Sequence, residues 1–157
     1  MLDFELVSTE QIFSGFVFDV ERRHLTANGS PFSREVVHHP GAVSIVAIDD
    51  ERRVILLEQY RATILRRHLE TPAGTCDIHG EEPEQTARRE LIEETGMDAG
   101  SWIRLGSFLN TPGYCDQQTV TFLATDLIDV GSAPSGPEEL DATVHRIELG
   151  EAVRMIE

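Results

Sequence analysis

The spacing of hydrophobic and polar positions changes along the chain, and each change marks an element. Residues 4–7 and 16–25 alternate, the turn Ala27-Asn28-Gly29-Ser30 follows, and residues 32–38 alternate again. Alternation of period two buries one face of a strand and wets the other, so these runs predict a small antiparallel N-terminal sheet. Gly41 then opens Ala42-Val43-Ser44-Ile45-Val46-Ala47-Ile48, a nearly continuous apolar run that reads as a central strand covered on both faces. A polar turn at 49–52 leads into a strand over 54–60, and the two strands are expected to form a hairpin. Residues 64–68 read as a short helical turn or a loop. Further strands are expected at 102–108, 120–125 and 143–147, a Pro/Gly-rich flexible connection at 132–137, and the start of a helix at 150–157. That helix stops without a closing glycine, which suggests a native chain that runs further.

Between residues 83 and 96 the period becomes helical. Pro83 suits the first turn, where its missing N–H is not needed, and Gly96 suits the left-handed position just past the end. Ala87 and Leu91 are four apart and Ile92 widens their stripe toward a core. Glu90, Glu93 and Glu94 stand at i, i+3 and i+4, so three carboxylates project from nearly one edge. Like charges placed this way repel by roughly a few tenths of a kcal/mol per pair on an exposed helix. The spacing leaves two readings: an acidic face that is simply solvated, or one with a divalent cation among its acids. Carboxylate oxygens are the hard ligands Mg²⁺ and Mn²⁺ take, with positions left for water and substrate phosphate. Strands alternating with only two helices predict an α/β fold, a mixed sheet with helices on its faces.

Composition narrows the function classes. Thirteen basic against 28 acidic residues give a net charge of -15, which excludes a general nucleic-acid-binding surface. An anionic small molecule remains open to such a protein if metal ions and a few arginines reverse the local potential. No apolar run reaches the roughly 20 residues that span a bilayer, and the N-terminus MLDFELVSTE lacks a basic-then-apolar leader pattern, so the expectation is a cytoplasmic protein with no membrane partner. Cys76 and Cys115 both fall in expected loops without zinc-site spacing, and a reducing compartment would keep them as thiols. His79 is either a ligand or base of the site or an exposed loop histidine.

The run from Gly74 to Met97 resembles the Nudix box: a glycine, five residues, Glu, seven residues, Arg-Glu, an aliphatic, any residue, Glu-Glu, any residue, Gly and an aliphatic. From Glu81 onward Arg89, Glu90, Leu91, Glu93, Glu94, Gly96 and Met97 all match. Upstream the chain departs from the pattern, with six residues instead of five between Gly74 and Glu81, an insertion that a loop before the helix can absorb. The resemblance implies the Nudix α/β/α sandwich with a mixed central sheet, an N-terminal β lobe over residues 1–39 that helps form a homodimer, and a hydrolase domain over 40–157. It implies cleavage of a diphosphate bond with Mg²⁺ (Mn²⁺ as the alternative). Glu90, Glu94 and the backbone carbonyl of Ala73 are the implied ligands, with Glu93 as third ligand or in contact with a metal-bound water. Arg89 and Glu81 are implied to hold loop and helix together by an ion pair.

Four further blocks resemble the ADP-ribose pyrophosphatase branch: REVVHHPGAV (34–43), EQYR (58–61), LETPAG (69–74) and NTPGYCDQ (110–117). The implied reaction is hydrolysis of ADP-ribose to AMP and ribose 5-phosphate. The alternatives are another nucleoside diphosphate sugar or a dinucleotide as substrate, or a binding module that has kept the fold and lost hydrolysis; the uneroded box acids argue against the last. Arg61 is the expected phosphate contact, since its planar fork suits phosphate oxygens, with Arg34, Pro112 and Gly113 as further substrate-binding residues. Phe16, Phe18 and Tyr114 are candidates to clamp the adenine, or else core residues. Where the branch often has a glutamate after its Pro-Gly pair, this chain has Gln117, which cannot serve as a base. The connection at 132–139 lies where the family has a late catalytic-loop glutamate, so the resemblance implies Glu139 first and Glu138 second as the base, on a loop that closes over substrate; the alternative is a pair of solvated loop acids.

Overall fold

The computed structural model describes residues 1–131 and 140–156. They fall into two compact units, Met1–Gly41 with Phe108–Thr119, and Ala42–Ser107 with the residues from Val120 onward. Among the described residues no helix is long and apolar enough to cross a membrane.

In the first unit β1 (Phe4–Ser14), β2 (Asp19–Ala27) and β3 (Ser30–His38) form an antiparallel sheet in that order. The β2–β3 hairpin turns through Asn28 (φ 48) and Gly29 (φ 80), the two left-handed positions that a two-residue turn of matching twist requires. β1 is far longer than the alternation at 4–7 predicts. Irregularities between Leu6 and Ser8 and between Gln11 and Phe13 shift its register and break the period on which the sequence reading depends. Residues 16–18, expected in the second strand, instead belong to a turn in which the Gly15 amide donates to the Phe18 carbonyl at 3.0 Å. Residues 108–119 dock on β3: the Val37 amide donates to the Tyr114 carbonyl at 2.7 Å, and the Asp116 amide to the Val37 carbonyl at 3.1 Å. Every residue of β1 is exposed, Phe4, Leu6, Val7, Ile12 and Phe13 included.

The second unit contains β4 (Ala42–Ala47), β5 (Arg53–Arg61), β6 (Arg66–Glu70), β7 (Ala73–Thr75), α1 (Pro83–Thr95), β8 (Met97–Leu109), β9 (Gln118–Asp129), β10 (Thr143–Glu148) and α2 (Leu149–Arg154). Its strands form two sheets, β7-β4-β9-β8 and β10-β5-β6. Val43, Ile45 and Ala47 of β4, Val120, Phe122 and Ala124 of β9, Met97 and Ala99 of β8, and Ala87 and Leu91 of α1 make one buried cluster. The apolar stripe of α1 thus meets the core that its spacing predicts.

Three expectations are corrected. β4 is an inner strand, but only alternate residues are buried, and Ala42, Ser44 and Val46 are half-covered. The reason is the short α2: Val46, Val54, Leu56, Leu149 and Val153 line an apolar cavity of about 560 Å³. β4 and β5 do not pair as a hairpin beyond the single bridge Ile48–Val54, because β4 lies between β7 and β9 while β5 lies between β10 and β6. The Asp49 carboxylate nevertheless holds the intervening turn, accepting from the Glu51 and Arg53 amides at 3.0 and 2.9 Å. Residues 64–68, read as a short helical turn or a loop, instead run into strand β6, in register with β5 from Arg61–Arg66 to Leu57–Glu70.

Candidate active site

Pro83 occupies the first turn of α1, the Gln85 side chain accepts from the Glu82 amide at 3.0 Å, and Gly96 closes the helix at φ 74. Both ends are fixed by local chemistry. With Ala87 and Leu91 buried, the acidic edge is directed at β7, itself held by pairing of Ala73 with Ser44 and Gly74 with Val43. The Glu94 carboxylate accepts the Ala73 amide at 3.1 Å. Glu90 lies so close to Gly74 that a Cβ built there would stand 2.0 Å from its Cδ and 2.2 Å from its Oε1. Gly74 is therefore a seat for Glu90, required for space and not for backbone conformation.

Arg89 joins the acids. Its Nη1 donates to Glu90 at 2.8 Å and to Glu93 at 3.1 Å, while Nη2 and Nε reach the two oxygens of Glu81 at 3.2 and 3.4 Å. The expected Arg89–Glu81 pair is thus present, and Thr86 donates to the same Glu81 carboxylate at 2.9 Å. These two partners, Arg89 foremost, hold Glu81 below the usual carboxylate range. Burial alone would lower the Arg89 pKa, but the bond to Glu81 and the charges of Glu90, Glu81 and Glu93 outweigh it and raise it. The sequence leaves a cation as the relief for three crowded carboxylates; in this structure a guanidinium supplies part of that relief. The extra loop residue is absorbed ahead of the helix, in a turn closed by the Glu81 amide on the Ile78 carbonyl at 3.1 Å with Gly80 at φ 82.

Among the described residues no group of three or more His, Cys, Asp or Glu side chains forms a ready ligand cluster. The donors nonetheless suit a hard divalent cation: carboxylates on one helix edge beside a strand backbone, with a side-chain-free seat at Gly74 that leaves Glu90 room. His79 is exposed. Removing the guanidinium should be felt in stability. Arg89→Met is expected to cost about 1–3 kcal/mol, read as a lower Tm, because half-buried carboxylates lose their counter-charge. An unchanged Tm would show that Arg89 does not balance them.

Arg61 closes β5 with its Nε and Nη2 on the two oxygens of Glu70 at 2.8 and 3.0 Å. Its fork is engaged within the β5–β6 hairpin, so a phosphate there would share it with Glu70. Glu138 and Glu139 lie outside the described residues.

The other expected substrate residues sit in the first unit, where Arg34, Pro112, Gly113 and Tyr114 line one cavity of about 330 Å³ with Arg23, Leu25 and Val36. Arg23 and Arg34 are direct cross-strand partners, a like-charge pairing that ordinarily destabilises a sheet. The guanidinium of Arg34 stacks over Phe32 at 5.0 Å, and Arg23 donates to Glu21 at 2.6 Å. Two arginines, the Tyr114 ring and apolar side chains share the cavity's lining, a combination that suits an anion joined to a flat apolar group. Nothing in the sequence around Arg23 singles it out. Alternation along β2 places it on the face of Glu21 and Leu25, and pairing it with Arg34 needs the hairpin register, which the Asn28-Gly29 turn supplies.

The acid-edged helix seated on a glycine strand carries the donors a divalent cation takes. The chain belongs to the Nudix domain family, whose domain matches residues 38–154. Within it the chain is 41% identical over 155 residues to the ADP-ribose pyrophosphatase of Mycobacterium tuberculosis, across 98% of this chain and 75% of that protein. It is 39% identical over 158 residues to the ADP-ribose pyrophosphatase of Bacillus subtilis, across 99% of this chain and 84% of that one. A crystal structure of an ADP compounds hydrolase superposes with a TM-score of 0.85 at 25% identity, covering 98% of this chain and 82% of its own. The resemblance read from the box and the α/β class are borne out.

Proposed function

We propose that this protein hydrolyses the diphosphate bond of ADP-ribose, giving AMP and ribose 5-phosphate. The observation that carries the reading is the placement of Glu90 and Glu94 together on the backbone of Ala73 and Gly74, within a chain so similar to two ADP-ribose pyrophosphatases. Glu90, Glu94 and the Ala73 carbonyl would hold Mg²⁺, or Mn²⁺ in its place, with Glu93 as third ligand or on a metal-bound water. When bound, such an ion neutralises diphosphate oxygens and so opens phosphorus to water. Arg61 and Arg34 bind phosphate oxygens, and Pro112 and Gly113 shape the wall that receives the rest of the substrate. Glu139, or failing it Glu138, takes the proton from the attacking water.

The N-terminal lobe, residues 1–39, is assigned to dimerisation and residues 40–157 to hydrolysis. The wholly exposed β1, with its apolar side chains, supports a homodimer. A cytoplasmic location follows the sequence reading.

Product analysis tests the activity. With Mg²⁺ and a panel of ADP-ribose, other nucleoside diphosphate sugars and dinucleotides, AMP and ribose 5-phosphate are expected to accumulate fastest from ADP-ribose. Faster turnover of another compound transfers the assignment to it, and no turnover of any leaves a binding module.

A further inference from the structure

His38, at the end of β3, has a carboxylate at each ring nitrogen. Nε2 is 2.9 Å from Glu21 on β2, and Nδ1 is 2.6 Å from Asp116 in the segment 110–117. A neutral imidazole carries one N–H and can donate to only one of them, whereas the imidazolium donates to both. The Glu21 oxygen that His38 meets also accepts from Arg23, and the other oxygen of Asp116 accepts the His39 amide at 3.0 Å. One chain of contacts therefore runs from Arg23 through Glu21 and His38 to Asp116. Arg23 and Asp116 line the same cavity as Pro112 and Gly113.

We propose that His38 is a positioning residue for hydrolysis: as an imidazolium it pins the 110–117 segment to β2, fixing Pro112 and Gly113 opposite Arg23 and Arg34, and substrate capture weakens when the imidazolium is lost. The proposal rests on the reading that this cavity receives part of ADP-ribose.

The charged groups around the ring agree in direction. The bond to Glu21, then that to Asp116, raises the His38 pKa above its ordinary value against an opposing effect of burial. Arg23 first and His38 second hold Glu21 below the carboxylate range. Burial would raise Asp116, but the His39 amide and then His38 bring it down. Asp19 is the cross-strand partner of His38 and adds a further nearby acid. Burial lowers the pKa of the adjacent His39, whose Nδ1 accepts the Gly41 amide at 3.1 Å, so this ring does not add a competing cation. Because the folded pKa of His38 is raised, the clamp is fully formed below about pH 6.5, the ordinary histidine value, and is lost as pH climbs through the folded value. The depressed acids stay ionised throughout that window, so above it Glu21 and Asp116 are left with a single N–H between them.

Steady-state hydrolysis of ADP-ribose by the full chain, from about pH 6 to about pH 9.5, tests this with the wild type, His38→Gln and His38→Arg. In the wild type KM is expected to rise about five- to tenfold across the upper part of the range while kcat follows the chemistry alone. His38→Gln should show the high KM at every pH, with no inflection. His38→Arg, a fork that bridges two carboxylates at any pH, should keep the low KM throughout. A His38→Gln profile that superimposes on the wild type overturns the proposal. So does a His38 ring that titrates at or below the ordinary value in an NMR titration of the wild type, a measurement that needs no variant to fold. Absence of ADP-ribose turnover in the wild type is a separate outcome, overturning the reading on which the proposal rests.

Discussion

Glu94→Gln is expected to lower Mg²⁺-dependent hydrolysis of ADP-ribose by about a hundred- to a thousandfold, the size of losing a few kcal/mol of transition-state charge stabilisation. The substitution is nearly isosteric, and its amide oxygen can still accept the Ala73 N–H that Glu94 accepts at 3.1 Å. Stability should therefore move by less than about 1 kcal/mol, within the range of one replaced hydrogen bond. The separation of the two readouts is the informative result: lost turnover at an unchanged Tm means that the charge acts in catalysis. Full activity in this variant would remove the α1 edge from the reaction.

Gly74→Ala should have an effect of similar size by a different route. The new Cβ would stand 2.0 Å from the Cδ of Glu90, so one of the two must move, and the flexible glutamate moves more readily than a paired strand. Displacing Glu90 is expected to reduce turnover by about a hundredfold, while the overpacking itself costs roughly 1–3 kcal/mol. Titrating activity with Mn²⁺ or Mg²⁺ should show the variant requiring a higher concentration of ion. Activity within about threefold of wild type would mean that Glu90 does not need its seat.

The acidic helix is legible in the sequence because everything that defines it is local. Pro83 and Gly96 bound it, Ala87 and Leu91 set its rotation, and the three glutamates follow from residue spacing alone. The space at Gly74 is not legible, since it depends on how closely α1 approaches β7. Nor is β6 legible, because Arg66, Arg67 and His68 offer no apolar alternation; pairing with β5 makes it a strand. Register shifts break the alternation of β1 and so hide its full length. The His38 clamp lies furthest from a sequence reading: its ring and the Asp116 carboxylate are 78 residues apart, and neither is unusual in its own surroundings. Arg61 illustrates the opposite case, a residue whose suitability for phosphate is plain from its type but whose bond to Glu70 appears only with the hairpin in place.

The guanidinium among the glutamates of α1 also bears on how the molecule is made. A helix born with its own counter-charge can dock as soon as the chain leaves the ribosome, in a cell depleted of divalent ions as readily as in a replete one. Ion supply would then act chiefly on how fast the finished protein works, and any stability a bound ion adds would come on top of a helix whose charge is already balanced in part.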